Sequence, residues 1–102
     1  MFALVVRFDL IDEASAVAFD QLVSETGQGI KAHEPGTLLY STQTVDGAPL
    51  ARVFYEVYRD RAAFDEHEEQ PHVRRFLAER EQFISSTRVE FLTAISGKGL
   101  PG

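Results

Sequence analysis

The sequence predicts an α+β domain of element order β-α-β-β-α-β, the ferredoxin-like split βαβ arrangement, with one four-stranded antiparallel sheet and two helices on one face. Three observations predict it. Four segments are rich in β-branched and aromatic residues, as strands are. Two longer segments carry apolar residues at helical spacing. Turn signals at Glu34-Pro35-Gly36 and Asp46-Gly47-Ala48-Pro49 separate these segments in the order the arrangement requires.

The elements follow in turn. Phe2 to Phe8 is a nearly continuous apolar run, the mark of a central strand. Asp12 is a helix cap by type and position. Beyond it Phe19, Leu22, Val23, Thr26 and Ile30 share one helical face, and Gly27 and Gly29 weaken the last turns. Pro35-Gly36 ends the helix. Thr37–Val45 and Leu50–Arg59 alternate as strands, and the turn between them makes a hairpin. Asp60 caps the second helix, whose predicted buried positions are Phe64, Val73, Phe76, Leu77 and Phe83-Ile84. Pro71 lacks an amide hydrogen and must kink or restart that helix. Thr87–Ser96 is the fourth predicted strand. Residues 1–96 thus form one domain, and 97–102 are expected to be a loose tail.

Strand three carries Phe54 and Tyr58 at one parity and Val53, Tyr55 and Val57 at the other. Helices can cover only one sheet face, so the other calls for a partner, and a second copy of the chain is the simplest one. A homodimer is expected.

Composition narrows the function. The 102 residues carry a formal charge of −6 with Lys and Arg scattered, which argues against nucleic acid. There is no cysteine, no long apolar run and no basic segment ahead of the N-terminal apolar residues, so a cytoplasmic protein without membrane contact is expected. Phosphate-binding glycine loops and HExxH are absent. His33, His67 and His72 include an i,i+5 pair, not the i,i+4 spacing that aligns two imidazoles, so neither metal nor cofactor is expected.

Chemistry is carried by few residues. Glu56 interrupts an aromatic strand with a carboxylate that must be desolvated or paired. His67, three residues after Phe64, faces the sheet and suits proton transfer near neutrality. Together they make an acid–base pair expected to meet within about 2.6–3.2 Å or through one water. The competing reading is architectural: His67 bonded to Glu56 or a carbonyl, and Glu56 ion-paired with Arg52, Arg7 or Arg88. Tyr40 and Tyr58 are candidate hydrogen-bond donors to a substrate oxygen, or simply strand-face packing. Arg7 is a candidate for an anionic substrate or for Glu56. His72 is either a substrate contact or an exposed helix-start residue, and His33 a surface residue. Arg80 and its charged neighbours on helix two read as a solvated face.

The segments Glu34-Pro35-Gly36-Thr37-Leu38-Leu39-Tyr40, Tyr55-Glu56-Val57-Tyr58, Ala63-Phe64-Asp65-Glu66-His67 and Pro71-His72-Val73-Arg74-Arg75-Phe76 resemble the antibiotic biosynthesis monooxygenase family of dimeric α+β barrels, over Phe2 to about Ile95. The resemblance implies a pocket between sheet and helices in each subunit. It further implies cofactor-independent oxygenation of a small electron-rich aromatic or quinol, whose deprotonated form reduces dioxygen. Isomerisation of a small carbonyl compound through an enediol, and non-catalytic binding or stress response, are the alternatives within that superfamily. The haem-degrading branch relies on an Asn near the end of strand one, a Trp on helix two and a later axial His. Here strand one reads Val5-Val6-Arg7, there is no Trp, and the later helix positions are Phe76 and Leu77. The absence of Trp also removes support for an anthrone substrate.

Overall fold

In the computed structural model, which describes residues 1–99, β1 (Phe2–Leu10), β2 (Thr37–Val45), β3 (Ala48–Tyr58) and β4 (Ile84–Leu92) form one antiparallel sheet of order β2-β3-β1-β4. Helices α1 (Glu13–His33), α2 (Arg61–Glu69) and α3 (Pro71–Glu79) complete the ferredoxin-like arrangement. Each strand places side chains alternately on two faces, and residues opposite one another share a face. Leu4, Val6 and Phe8 of β1 stand opposite Glu56, Phe54 and Arg52 of β3, on the side that the helices cover. The apolar face read in α1 is the buried one, with Ala16 added to it.

Caps define where the helices begin. Asp12 accepts from the Ser15 amide at 2.8 Å, and Asp60 accepts from the Ala63 amide at 2.8 Å. The predicted second helix is two helices. Gln70 is extended, with φ −66° and ψ 141°, and Pro71 opens α3 at a position where its missing N–H costs nothing. A 3-10 turn, Arg80–Gln82, follows, so Phe83 and Ile84 lead into β4 instead of lining a helix, and β4 starts and ends earlier than expected. Of the tail expected at 97–102, residues 100–102 lie outside the described residues. The β2–β3 turn shrinks to Asp46-Gly47, where Gly47 has φ +80°.

The core centres on Phe8, whose ring lies 5.2 Å from Phe19, 4.9 Å from Phe54 and 6.2 Å from Phe76. These rings join β1, α1, β3 and α3, and each buried Phe stabilises the fold by roughly 1.5–3 kcal/mol. The helices do not reach over β4: Val89 and Phe91 point to the helix side yet are 47% and 60% exposed. On the other face Ala3, Val5, Val53, Tyr55 and Val57 form an apolar strip with Leu39 and Leu92. No described helix is long and apolar enough to cross a membrane.

Candidate functional site

The site begins at the end of α1. Glu34 is its C-cap residue, bonded through its own amide to the Ile30 carbonyl. Pro35-Gly36 then turns the chain back into β2, and the Glu34 side chain is left pointing inward. Its Oε1 accepts from the Thr37 hydroxyl at 2.7 Å and meets His67 Nδ1 at 2.7 Å. Its Oε2 meets His72 Nε2. Two imidazoles five residues apart converge on one carboxylate because the helix is broken between them at Gln70. Gly29 makes room for this: a Cβ there would fall 2.4 Å from His72 Cγ.

Burial alone would push the Glu34 carboxyl up, but hydrogen bonds from His67, His72 and Thr37 together hold it below the ordinary carboxylate range. An ionised Glu34 fixes a tautomer. His67 Nδ1 is then the donor, and in the neutral ring Nε2, on the opposite side, is the proton acceptor. Nε2 faces Glu56, with Oε1 at 3.8 Å. Glu56 is buried, and desolvation pushes its carboxyl up against the opposing pull of the Tyr58 hydroxyl, which donates to Oε1 at 2.5 Å. Desolvation and then the Glu56 charge push Tyr58 up, so it stays a neutral donor.

His67 and Glu56 border a cavity of about 230 Å³ between the sheet and α2–α3. Leu4, Val6 and Phe8 of β1 and Val89 and Phe91 of β4 form one wall; Phe64, Val73, Phe76 and Leu77 form the other. Tyr40 also lines it, across the strand pair from Glu56. Desolvation, then the Glu56 and Glu34 carboxylates, push the Tyr40 phenol well above its ordinary value, so it keeps its proton and can donate. An apolar cavity of about 150 Å³ holds one benzene, so this one has room for a one- or two-ring aromatic. A wider groove of about 530 Å³ between α1 and β2 includes none of Glu34, Glu56 or His67 in its walls.

Several expectations are corrected. Glu56 and His67 do not bond directly, because the two His67 nitrogens are divided between Glu34 and the cavity side. Tyr58 is fully buried with its hydroxyl committed to Glu56, so it is not free to donate to a substrate oxygen. Arg7 stands at the opposite strand parity, on the uncovered face, and pairs with Asp9 at 3.2 Å instead of Glu56. His72 is neither a cavity residue nor an exposed helix start; it holds Glu34. Arg52 pairs with Asp20 of α1, not with Glu56. Arg80 does not lie on a solvated face but folds over the rings of Phe8 and Phe76. Glu34 was not singled out as functional at all. A usable signal was present: a carboxylate at the C-terminus of a helix opposes the helix dipole, so its retention there needs a compensating partner. Among the described residues, no group of three or more His, Asp or Glu is arranged to hold a metal ion.

Residues 1–79 match the family model for antibiotic biosynthesis monooxygenase. The chain belongs to this family. The fold repeats in solved structures. One is a candidate monooxygenase from Lactobacillus acidophilus NCFM, with 26% identity and a TM-score of 0.85; the match covers 90% of this chain but only 43% of that protein. Another, a candidate antibiotic biosynthesis monooxygenase from Bacteroides thetaiotaomicron VPI-5482, has 19% identity and a TM-score of 0.87, over 99% of this chain and 94% of the other. A third, from Caulobacter crescentus CB15, has 20% identity and a TM-score of 0.85 over 93% and 90% of the two chains. No curated protein matches the sequence. Glu34, Glu56, His67 and His72 all fall inside the family-matched region; Arg80, Val89 and Phe91 lie beyond it.

Proposed function

We propose that this antibiotic biosynthesis monooxygenase family member is a cofactor-independent monooxygenase acting on a small electron-rich aromatic or quinol, and that it works as a homodimer. The observation that carries the reading is the Glu34–His67 pair beside a largely apolar cavity with Glu56 at its edge. His67 Nε2 takes the proton from a substrate hydroxyl. Ionised Glu34 stabilises the imidazolium that forms, as an orienting carboxylate does in a catalytic triad. The resulting phenolate or carbanion is electron-rich enough to pass one electron to dioxygen. Recombination of the radical with superoxide forms a carbon–oxygen bond, and protonation gives a hydroperoxide. Glu56, held toward its neutral form by burial, is placed to supply that proton. Loss of water then leaves a carbonyl. The carbon that bears the hydroperoxide gives up its hydrogen as a proton while the O–O bond breaks, so one oxygen atom stays on the ring, the other leaves as water, and all four electrons come from the substrate. The apolar walls keep bulk water from quenching the intermediates.

The apolar strip of Val5, Tyr55, Val57 and Leu39 on the uncovered face supports the dimer, as do the exposed Phe91 and Leu92 at the end of β4.

The test is oxygen consumption with one- and two-ring quinols. His67→Ala should lower turnover by about two orders of magnitude or more while fold and oligomer survive. No oxygen uptake, with solvent deuterium entering a carbonyl substrate instead, would replace this reading with enediol isomerisation.

A further inference from the structure

The substrate cavity contains a cation that the proton chemistry does not use. Arg80 lines it together with Glu56 and His67. As the C-cap of α3, Arg80 suits the negative end of that helix's dipole. The dipole does not explain where the side chain goes. It turns inward, with the guanidinium carbon 5.4 Å from the Phe8 ring and 5.5 Å from the Phe76 ring. The arginine Nε is buried and makes no hydrogen bond. Its one ion-pair contact among the described residues is Glu81 at 3.7 Å, too long for a hydrogen bond and on an exposed side chain. Glu56 and Glu68, the two carboxylates that line the same cavity, do not pair with it. The Arg80 charge is nonetheless felt in the cavity, where it pulls against the upward push on the Tyr40 phenol.

A buried N–H donor without a partner is uncommon and costly in a native protein. Nε itself is occluded, but the side chain it belongs to borders the cavity, and a cation there calls for an anionic acceptor, since charge-assisted bonds are about twice as strong as neutral ones. We infer that Arg80 binds a carboxylate carried by the substrate, which makes the substrate class an aromatic hydroxy acid of one or two rings. The hydroxyl goes to His67 and Glu56, and the carboxylate goes to Arg80. The inference rests on the reading of this cavity as the substrate site, and it sets which aromatics the site accepts.

Binding alone tests it, with no turnover needed. The probes are 2-naphthoate and its neutral isostere naphthalene-2-carboxamide, with affinities read by calorimetry or by NMR titration of the full chain. Wild-type protein should bind the naphthoate about tenfold more tightly or better, the gain expected of a desolvated charge-assisted bond. Arg80→Met keeps the packing over Phe8 and Phe76 but removes the charge. It should abolish the preference while carboxamide affinity, which reports an intact cavity, stays within about twofold. Arg80→Lys keeps charge but loses the planar fork, and should retain part of the preference. Equal binding of the two probes by wild type, no detectable naphthoate binding at millimolar concentration, or a preference that survives Arg80→Met would each overturn the inference. The oxygenase reading fails separately. Carboxylate preference without oxygen uptake by any hydroxynaphthoate removes the reaction and leaves Arg80; oxygen uptake with neutral quinols and no preference does the reverse.

Discussion

Gly29→Ala offers a sharp test of the way the site is held. Alanine normally improves a helix over glycine by about 1 kcal/mol. At Gly29 the new Cβ would sit 2.4 Å from Cγ, 2.7 Å from Nδ1 and 2.9 Å from Cβ of His72. Ordinary contact begins at 3.4 Å, so something must move by about 1.0 Å. The ring cannot move freely, because Nε2 is bonded to Glu34. Giving up that charge-assisted bond costs roughly 1.5–3 kcal/mol. Subtracting the helix gain leaves a net loss of roughly 0.5–2 kcal/mol, with about 1 kcal/mol as the centre. For a chain of this size that lowers Tm by roughly 4–8 °C. Gly27 provides the control on the same helix: a Cβ there meets nothing within 4 Å, so Gly27→Ala should raise Tm by a similar amount. Thermal and urea unfolding of both variants, and of Gly29→Ala on a His72→Ala background, complete the cycle. Without the ring, the alanine should become stabilising. If Gly29→Ala stabilises the wild-type protein as much as it does the His72→Ala variant, the account of α1 and α3 meeting at Glu34 is wrong.

Other outcomes follow from the same contacts. Glu34 titrates below its ordinary range in the folded state, so it contributes stability that is full above about pH 4.3 and is lost as pH falls through the folded value. Glu34→Gln should therefore flatten the acid limb of urea midpoints measured from pH 3 to 7. Glu56 has the opposite sign: burial raises it, so its contribution is greatest below about pH 4.3 and is lost as pH rises through its folded value. Glu56→Gln, which keeps an acceptor for Tyr58, should thus gain on wild type as pH rises above about 4.3, and a difference that stays constant from about pH 3 to 8 would contradict the assignment. Arg52 grips Asp20 with Nε and Nη2 at 2.8 and 2.9 Å, so Arg52→Lys, which cannot form the fork, should cost about 1–2 kcal/mol in urea unfolding. Sedimentation at low micromolar concentration should show a dimer, and Tyr55→Arg on the uncovered strip should yield the 11.4 kDa monomer.

Local signals carried the fold because they agreed with one another. The spacing from Phe19 to Ile30, the caps Asp12 and Asp60, and the alternation from Leu50 to Arg59 each specify one element, and the structure has each of them, the strand running from Ala48 to Tyr58. Boundaries were less legible. Phe83 and Ile84 are apolar, and periodicity alone does not tell the end of a helix from the start of a strand. At the site, His67 and Glu56 stood out because polar groups on apolar faces are visible in one dimension. Glu34 did not, because Glu34-Pro35-Gly36 has a sufficient local explanation as a helix stop. Its partners lie 33 and 38 residues away, and only the packing of α2 and α3 on the end of α1 brings them together. The i,i+5 spacing of His67 and His72 pointed away from a shared partner for an unbroken helix, and the Gln70 break reverses that conclusion. Arg80 was hidden for a similar reason: charge pattern along a helix does not reveal a side chain folded back under its end.

In the proposed reading, the cavity residues fall into two groups along the chain, one for proton transfer and one for recognition. The groups proposed for proton transfer fall between Glu34 and His72, with His67 and His72 held by Glu34 and Glu56 held by Tyr58. β1 and β4 give the cavity only the bare surfaces of Leu4, Val6, Phe8, Val89 and Phe91. Arg80, Val89 and Phe91 all lie past Glu79, in the segment beyond the family match. A graft of residues 80–92 from a family member with a different substrate should therefore transplant substrate choice while the proton machinery stays in place.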